Sequence, residues 1–420
     1  MFSISDALSI IRFVSIYFVS AIIHPFFIGI TLFIYVLYKK FVCSAQRLEE
    51  RETFSPFYIT YKSVMYGILA GFIISVAGNL LGIYVRMNYH SYLYIWIIVT
   101  LLVLLNISHN CFSIVGGMVA LLNLIFGWPN IDVSGWLALV ALLHFAEAVL
   151  IFFDGYTQAK PVFVRHRGTV VGAFHIQKYW PIPIALLTLS IMLKSDMPAD
   201  VININTPDWW PLMKQPIVSD NQSLLFGILS LPAALGYSEI IISERPRSKV
   251  RKTGIYFMLY SVVLLILAIA STRIYAIKYA AAVFALVVYE IIIIIQRINE
   301  NKKEAFYSVQ KQGVMVLDTI ENGPAHLMGI RSGDIILRVN NKDVMTQQGI
   351  ENILNDFPGY VWVDVLRDNK NYTFEYSNYT DKINDLKIIT VPRDGNASNI
   401  LEMSHNMGPS GLLFKKKWWN

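Results

Sequence analysis

The chain has 420 residues, of which 55% are apolar and only 15% charged, with a mean hydropathy of +0.48 and a formal net charge of +6. A soluble globule of this length has nowhere to put so much apolar surface, and the composition equally excludes a disordered chain, a coiled coil and a disulfide scaffold. Residues 1–296 hold 20 Lys/Arg against 14 Asp/Glu, while 297–420 hold 15 of each, so the excess follows membrane topology and no nucleic-acid partner is expected.

The first basic residue is Arg12, and no small-residue cleavage site follows a short apolar stretch, so the first apolar segment is expected to stay in the membrane. A spanning helix needs about 20 mostly apolar residues. Nine stretches qualify: 16–38, 64–85, 91–107, 111–127, 134–153, 180–194, 224–242, 254–272 and 275–296. Residues 4–19 read as an interfacial helix before the first span. The 91–127 region reads as two short helices joined at Ser108-His109-Asn110, or as one broken element. The 180–194 stretch is short and opens Trp180-Pro181-Ile182-Pro183. The fold class is therefore an α-helical polytopic membrane bundle of about nine spans, eight to ten in all, over 1–296.

Basic residues set the orientation of such a bundle, because cytoplasmic loops keep Lys and Arg. Loop 39–63 holds Lys39, Lys40, Arg47, Arg51 and Lys62; loop 154–179 holds Lys160, Arg165, Arg167 and Lys178; loop 243–253 holds Arg245, Arg247, Lys249, Arg251 and Lys252. Nine spans put all three on one side. They put 195–223, with Asp196, Asp200, Asp208, Asp220 and only Lys214, on the other. The N-terminus is then outside and everything after 297 cytoplasmic. Within the second loop, 162–176 reads as a small β-hairpin turning at Arg165-His-Arg-Gly168, a candidate partner surface.

Carboxylates inside spans are costly and are usually paired or functional. Glu147, Glu239 and Glu290 pose that question, with His144 one helical turn before Glu147 and Asp154 ten residues beyond His144 on roughly the same stripe. An intramembrane zinc protease needs two His four apart with a Glu beside the first. No HExxH occurs, and His144-Phe-Ala-Glu147 supplies too few ligands, so no metal, cofactor or catalytic residue is expected. Interhelical hydrogen bonding is the plainer role for these groups, and Asn79 reads as the same kind of glue. Cys43 and Cys111 have no zinc or CxxC spacing.

After Gln296 the texture changes. Residues 297–304 read as a charged linker. Residues 305–378 read as a small α/β domain, with strands near 306–310, 313–319, 334–339, 359–367 and 371–377 and a helix near 346–356 capped by Thr346. Residues 379–420 form a tail that is strand-like at 386–391. It ends Lys-Lys-Lys-Trp-Trp-Asn420, which suits an anionic bilayer surface.

The string Gly313-Val-Met-Val-Leu-Asp318, Gly323-Pro-Ala325, Met328-Gly-Ile330 and Ser332-Gly-Asp-Ile-Ile-Leu-Arg-Val-Asn340 resembles a bacterial PDZ domain, a half-open barrel of the type attached to membrane proteases. Such a domain adds an extended peptide to an exposed strand edge beside a helix. Here that edge is expected at Val314, Met315, Val316 and Leu317. Gln312 and Gly313 would offer backbone N–H groups to a terminal carboxylate, with Lys311 assisting. Ile350, Ile353 and Leu354 would form the pocket wall. The alternative is that these residues fill the domain core.

Leu143-His-Phe-Ala-Glu-Ala-Val-Leu-Ile-Phe-Phe-Asp-Gly155, with Ala159-Lys-Pro-Val-Phe-Val164, Val171-Gly-Ala-Phe174 and Lys178-Tyr-Trp-Pro-Ile-Pro183, resembles the MinJ family. That resemblance implies a non-enzymatic topological determinant of cell division in a bacterial cell membrane, at septum and poles. It bridges DivIVA-like and MinD-like cytoplasmic proteins, and a homo-oligomer is compatible with it. Readings of a different class are a membrane protease or transporter gated by the PDZ domain, or an adaptor presenting peptides to a separate protease.

Overall fold

The computed structural model describes residues 4–46, 55–86, 94–95, 112–198, 204, 206–356, 359–377, 383–393 and 400–401. Among them are six helices long and apolar enough to cross a membrane. They are α1 (Ile4–Ile23), α2 (Pro25–Gln46), α3 (Pro56–Leu80), α5 (Val133–Asp154), α6 (Pro246–Ser271) and α7 (Tyr275–Lys302). A shorter apolar helix, α4, covers Phe112–Phe126. Local chemistry sets several starts: Ser55 accepts from the Phe57 N–H and Asp132 from the Gly135 N–H, and Pro56 and Pro246 occupy first-turn positions where a missing N–H costs nothing. The 91–107 stretch, the Ser108–Asn110 joint and the 402–420 tail lie outside the described residues.

Two of the nine expected spans are not helices. Segments 180–194 and 224–242 lie in strands β3 (Thr169–Leu193) and β4 (Gln222–Ile241), which pair antiparallel over their shared length, from Phe174↔Ile241 to Leu193↔Gln222. The prolines explain this. Pro181 and Pro183 sit two apart, which would break a helix but suits a strand whose alternate N–H groups point away from its partner. Pro183 stands opposite Pro232. With no N–H on either residue, that pair is non-hydrogen-bonded, and the backbone of Pro181, Pro183 and Ala185 faces away from β4.

Inside a membrane an open strand edge is costly, and α3 covers this one. Gly67 and Gly71 lie so close that an added Cβ would sit 2.0 Å from the Pro181 carbonyl oxygen and 2.2 Å from that of Pro183. One turn on, the Ala185 N–H donates to Ser75 Oγ (2.9 Å), and Asn79 Nδ2 donates to the Ala185 carbonyl (2.8 Å). Small residues permit the close approach and polar ones replace the missing strand.

The hairpin runs the length of the bundle. Lys178 meets Asp154 at the C-terminal end of α5, while Leu187 pairs with Tyr84 of the short strand β1 (Tyr84–Val85), beside Gly135 at the other end of α5. Nine residues of strand at about 3.3 Å each span about 30 Å, the thickness of a bilayer hydrocarbon core. The expected 16–38 span is divided at His24 between α1 and α2, and residues 4–19 belong to α1, a helix of spanning length and not a short interfacial one. Lys62 approaches Asp154, Lys160 reaches the Phe41 carbonyl, and Arg247 and Arg251 lie over Tyr156. The three basic loops therefore share one end, and Leu81, Trp210, Lys214 and Thr272 meet at the other.

At the basic end the chain forms β2 (Lys160–His166), which pairs with the start of β3 through a turn at Arg167-Gly168, as the sequence predicts. The expected 297–304 linker is instead the last turns of α7, which runs to Lys302. Residues 306–310 form no strand; Tyr307 bridges to Gly172 of β3.

The C-terminal domain follows the expected plan: β5 (Val314–Thr319), α8 (Pro324–Met328), β6 (Ile335–Val339), β7 (Lys342–Asp343), α9 (Gln347–Asp356), β8 (Tyr360–Arg367), β9 (Lys370–Ser377) and β10 (Ile388–Thr390). Its sheet order is β10-β5-β6-β8-β9, with β7 beside β6. Thr346 accepts from the Gly349 N–H at the start of α9. Asp334, buried, holds Arg367 through two hydrogen bonds of 2.7 and 2.8 Å.

Candidate functional site: a cleft between the C-terminal domain and the membrane hairpin

Each expected groove residue has a definite place. Val314, Met315, Val316 and Leu317 lie on β5, which is not an edge strand. It pairs with β6 on one side and with β10 on the other. The terminal strand is β10, supplied by a segment beyond the recognisable motif. Ile350, Ile353 and Leu354 are core residues, packed with Val316 and Ile388 and at most 8% exposed. They face a hydrophobic interior rather than an open pocket.

The opening lies next to them. A cleft of about 330 Å³ is lined by Met345 to Gln348 at the start of α9, by Thr390 to Arg393, by Gly313 to Met315, and by Phe163 of β2. Thr390 Oγ1 lies 3.0 Å from Gln347 Oε1, tying β10 to α9. Arg393 closes one end: its Nη2 donates to the Gln310 carbonyl at 2.7 Å and lies 3.4 Å from that of Gly313. The 310–313 loop thus turns carbonyls toward an arginine here, and Gln312 and Gly313 flank that contact. A cleft with a terminal strand on one wall, a helix start on another and a cation at its end can hold an extended peptide segment.

Phe163 belongs to the membrane part, so the cleft is shared. The domain is docked there by a mixed apolar cluster in which Phe174, Tyr307, Met315, Leu317 and Val391 are buried together. The Gly172 N–H donates to the Tyr307 carbonyl (2.9 Å) and the Phe306 N–H to that of Ile242 (2.9 Å). Ile400–Leu401 pair in parallel with Phe163–Val164.

The intramembrane polar residues separate into distinct contacts. His144 Nδ1 and Glu147 Oε2 are 2.8 Å apart in the core, with the His144 ring against Tyr260 and Tyr289 of α6 and α7. Asp154 binds Lys178 Nζ at 3.3 Å and accepts from Trp180 Nε1 at 3.1 Å and Thr157 Oγ1 at 2.7 Å. Glu239 is not at mid-span: it lies near the end of β4, hydrogen-bonded by Tyr237 and 3.5 Å from Lys249. Lys249 also meets Glu300 at 3.2 Å, and Glu300 accepts from the Ile242 and Ser243 N–H groups at 2.7 Å each. Glu290 is half-buried on α7. Among the described residues no three His, Cys, Asp or Glu side chains come together as a metal-ligand set.

Sequence reasoning takes Lys178 for a loop cation and Phe163 for part of a family string, and does not single out Glu300, Thr390 or Arg393. Lys178 carried a signal, a lysine two residues before Trp180 in an apolar run. The others are joined only by tertiary contact.

Apolar helices of spanning length followed by this small α/β domain define a polytopic membrane protein with an appended C-terminal domain. The PDZ domain family model matches residues 296–377. Cell division topological determinant MinJ of Bacillus subtilis (strain 168) is 25% identical over 269 residues, 64% of this chain and 62% of MinJ. Serine endoprotease DegS of Salmonella typhimurium is 39% identical over 66 residues, 15% of this chain and 18% of DegS. A probable periplasmic serine endoprotease DegP-like of Ectopseudomonas mendocina is 31% identical over 78 residues, 18% of this chain and 16% of that protein. The likeness to MinJ and the C-terminal PDZ domain together support a MinJ-like family for this chain.

Proposed function

We propose that the chain is a non-enzymatic membrane scaffold that positions cell-division proteins, a reading supported by its likeness to MinJ, whose name is cell division topological determinant. The observation that carries this reading is the shared cleft, where a PDZ domain is packed onto the membrane hairpin. The buried polar residues support it from the other side. His144 is engaged with Glu147, and Asp154 with Lys178 and Trp180, which suits bracing of the bundle. A peptide or protein segment would lie along β10 and the start of α9, with its anionic end toward Arg393. The convergence of three basic loops beside the PDZ domain supports a cytoplasmic site. By resemblance, DivIVA-like and MinD-like proteins are the partners, at septum and poles.

The test is fluorescence localisation of the full chain carrying Met345→Asp and Arg393→Glu, two surface changes on the cleft. Septal enrichment of the wild type and diffuse membrane signal for the variant are expected. Equal septal enrichment would overturn the reading. Single cysteines at Gly168 and Ile217, in a chain with Cys43 and Cys111 replaced, check sidedness: only the Ile217 site should label in intact cells.

A further inference from the structure

Of the 20 basic residues in 1–296, 14 lie in the three loops at the PDZ end, which leaves 20 − 14 = 6: Arg12, Arg86, Lys194, Lys214, Arg273 and Lys278. Three of these six line one cleft. It has a volume of about 300 Å³, lies at the end of the bundle away from the PDZ domain, and is bounded by Arg86, Lys214 and Lys278 with Asp132 as the acidic member. The neighbouring 195–223 segment is otherwise acidic, so the cations do not reflect a generally basic surface.

The cleft is built on fixed backbone. The Lys214 N–H donates to Thr272 Oγ1 (3.1 Å), and its carbonyl accepts from the Tyr84 hydroxyl (2.8 Å). The Arg86 carbonyl accepts from the Asp132 N–H (3.2 Å). Asp132 Oδ2 accepts from the Gly135 N–H (3.2 Å) at the start of α5, and its single negative charge stands against the three cations. Lys278 stands in the first turn of α7. Around these cations the surface is apolar and aromatic: Ile217 is 94% exposed, Tyr275 63% and Ile274 56%. Exposed Trp128 and Trp209 stand at the same end, in the arrangement of side chains that sit at headgroup depth.

We propose that this cleft binds the phosphate of an anionic phospholipid headgroup, with Arg86, Lys214 and Lys278 as the anion ligands and Ile217, Ile274 and Tyr275 against the glycerol and acyl region. The apolar rim favours a lipid over a free anion, because inorganic phosphate would leave it unused. The site goes beyond the scaffold reading and does not depend on it.

The experiment uses the full chain extracted from bilayers of phosphatidylcholine doped with phosphatidylglycerol. Native mass spectrometry counts the phosphatidylglycerol retained. The wild type should retain it in preference to phosphatidylcholine. Replacing Arg86, Lys214 and Lys278 together by Gln should weaken retention roughly a hundredfold, and Lys278→Gln alone, on an accessible first turn, roughly fivefold. Replacing Lys194 and Arg273 by Gln should leave it unchanged. Equal loss from that control pair would reduce the effect to diffuse surface attraction and overturn the proposal. So would displacement of the lipid by inorganic phosphate, or undiminished retention by the Lys278→Gln and triple variants.

Discussion

Lys178 Nζ lies 3.3 Å from Asp154 Oδ2, and the two side chains are only 2% and 1% exposed. This pair joins the end of α5 to β3 where the hairpin enters the bundle. Removing one partner leaves the other charge buried, which costs about 3–5 kcal/mol, whereas replacing both with apolar groups costs far less. Asp154→Asn should therefore lower the unfolding temperature of the full chain sharply in detergent. Asp154→Asn combined with Lys178→Met should recover most of the loss. Equal damage from single and double variants would show that the ion pair itself is not what matters.

The contact between α3 and β3 makes a steric prediction. Gly67→Ala and Gly71→Ala each drive a methyl group into a strand carbonyl, and neither backbone can move without opening the covered edge. Both should lose about 2 kcal/mol or more. Gly29→Ala on α2, where a Cβ meets nothing within 4 Å, should be neutral or stabilising by up to about 1 kcal/mol. Unfolding temperatures of the three variants decide the matter.

Docking of the PDZ domain rests on a close approach at Gly172, where an added Cβ would lie 2.7 Å from the Leu317 side chain and 3.0 Å from that of Tyr307. Gly172→Val should loosen the domain from the hairpin. Hydrogen exchange should rise over 160–175 and 305–317 while α5 and α6 stay protected. Unchanged exchange at both sites would refute the docking role.

His175 gives a pH prediction. It lies opposite Lys160 and Ile240 in the sheet, with its ring edge-on to Phe41. Burial, reinforced by the Lys160 ammonium, pushes its pKa down to about 4. Between about pH 6.5 and 4 the unfolded chain takes up a proton that the folded chain refuses, so stability present above this window is lost as pH falls through it. The loss is about 3 kcal/mol at most. The His175→Phe variant should show a flatter unfolding temperature over that range; an identical pH profile would remove His175 as the cause.

Much of this was legible in the residues. Helices α3, α5, α6 and α7 show as apolar runs of spanning length, and the PDZ domain shows through its turn residues, since Gly313, Gly329 and Gly333 all occupy positive φ. Strands β3 and β4 were not legible from hydropathy, because an all-apolar strand and an apolar helix present the same run, whether the strand is buried on both faces, as β3 is, or mostly half-buried, as β4 is. Pro181, Pro183 and Pro232 carried the missing information, but only their register shows that they share a non-hydrogen-bonded row. The contacts of Lys62, Lys160, Arg247 and Arg251 bring the three basic loops to one end, as expected, although two of the expected helices are strands. The cleft was only half legible: β5 and α9 could be named, but β10 covers the expected edge from outside the motif, and Phe163 arrives from a strand 150 residues earlier than Gly313.

Helix α7 ends at Lys302, and in the stretch that leads from it to β5 the Phe306 N–H is bonded to Ile242 and the Tyr307 carbonyl to Gly172, so the domain is held from the side as well as by the chain. A module on a loose tether sweeps a volume and meets partners in any orientation, at an effective concentration set by tether length. One clamped at two points offers its cleft at a single height and angle. A segment captured there is registered against the plane of the bundle, so a bound partner that itself touches the bilayer must fit two surfaces at once. Selectivity can then come from geometry that no peptide sequence encodes.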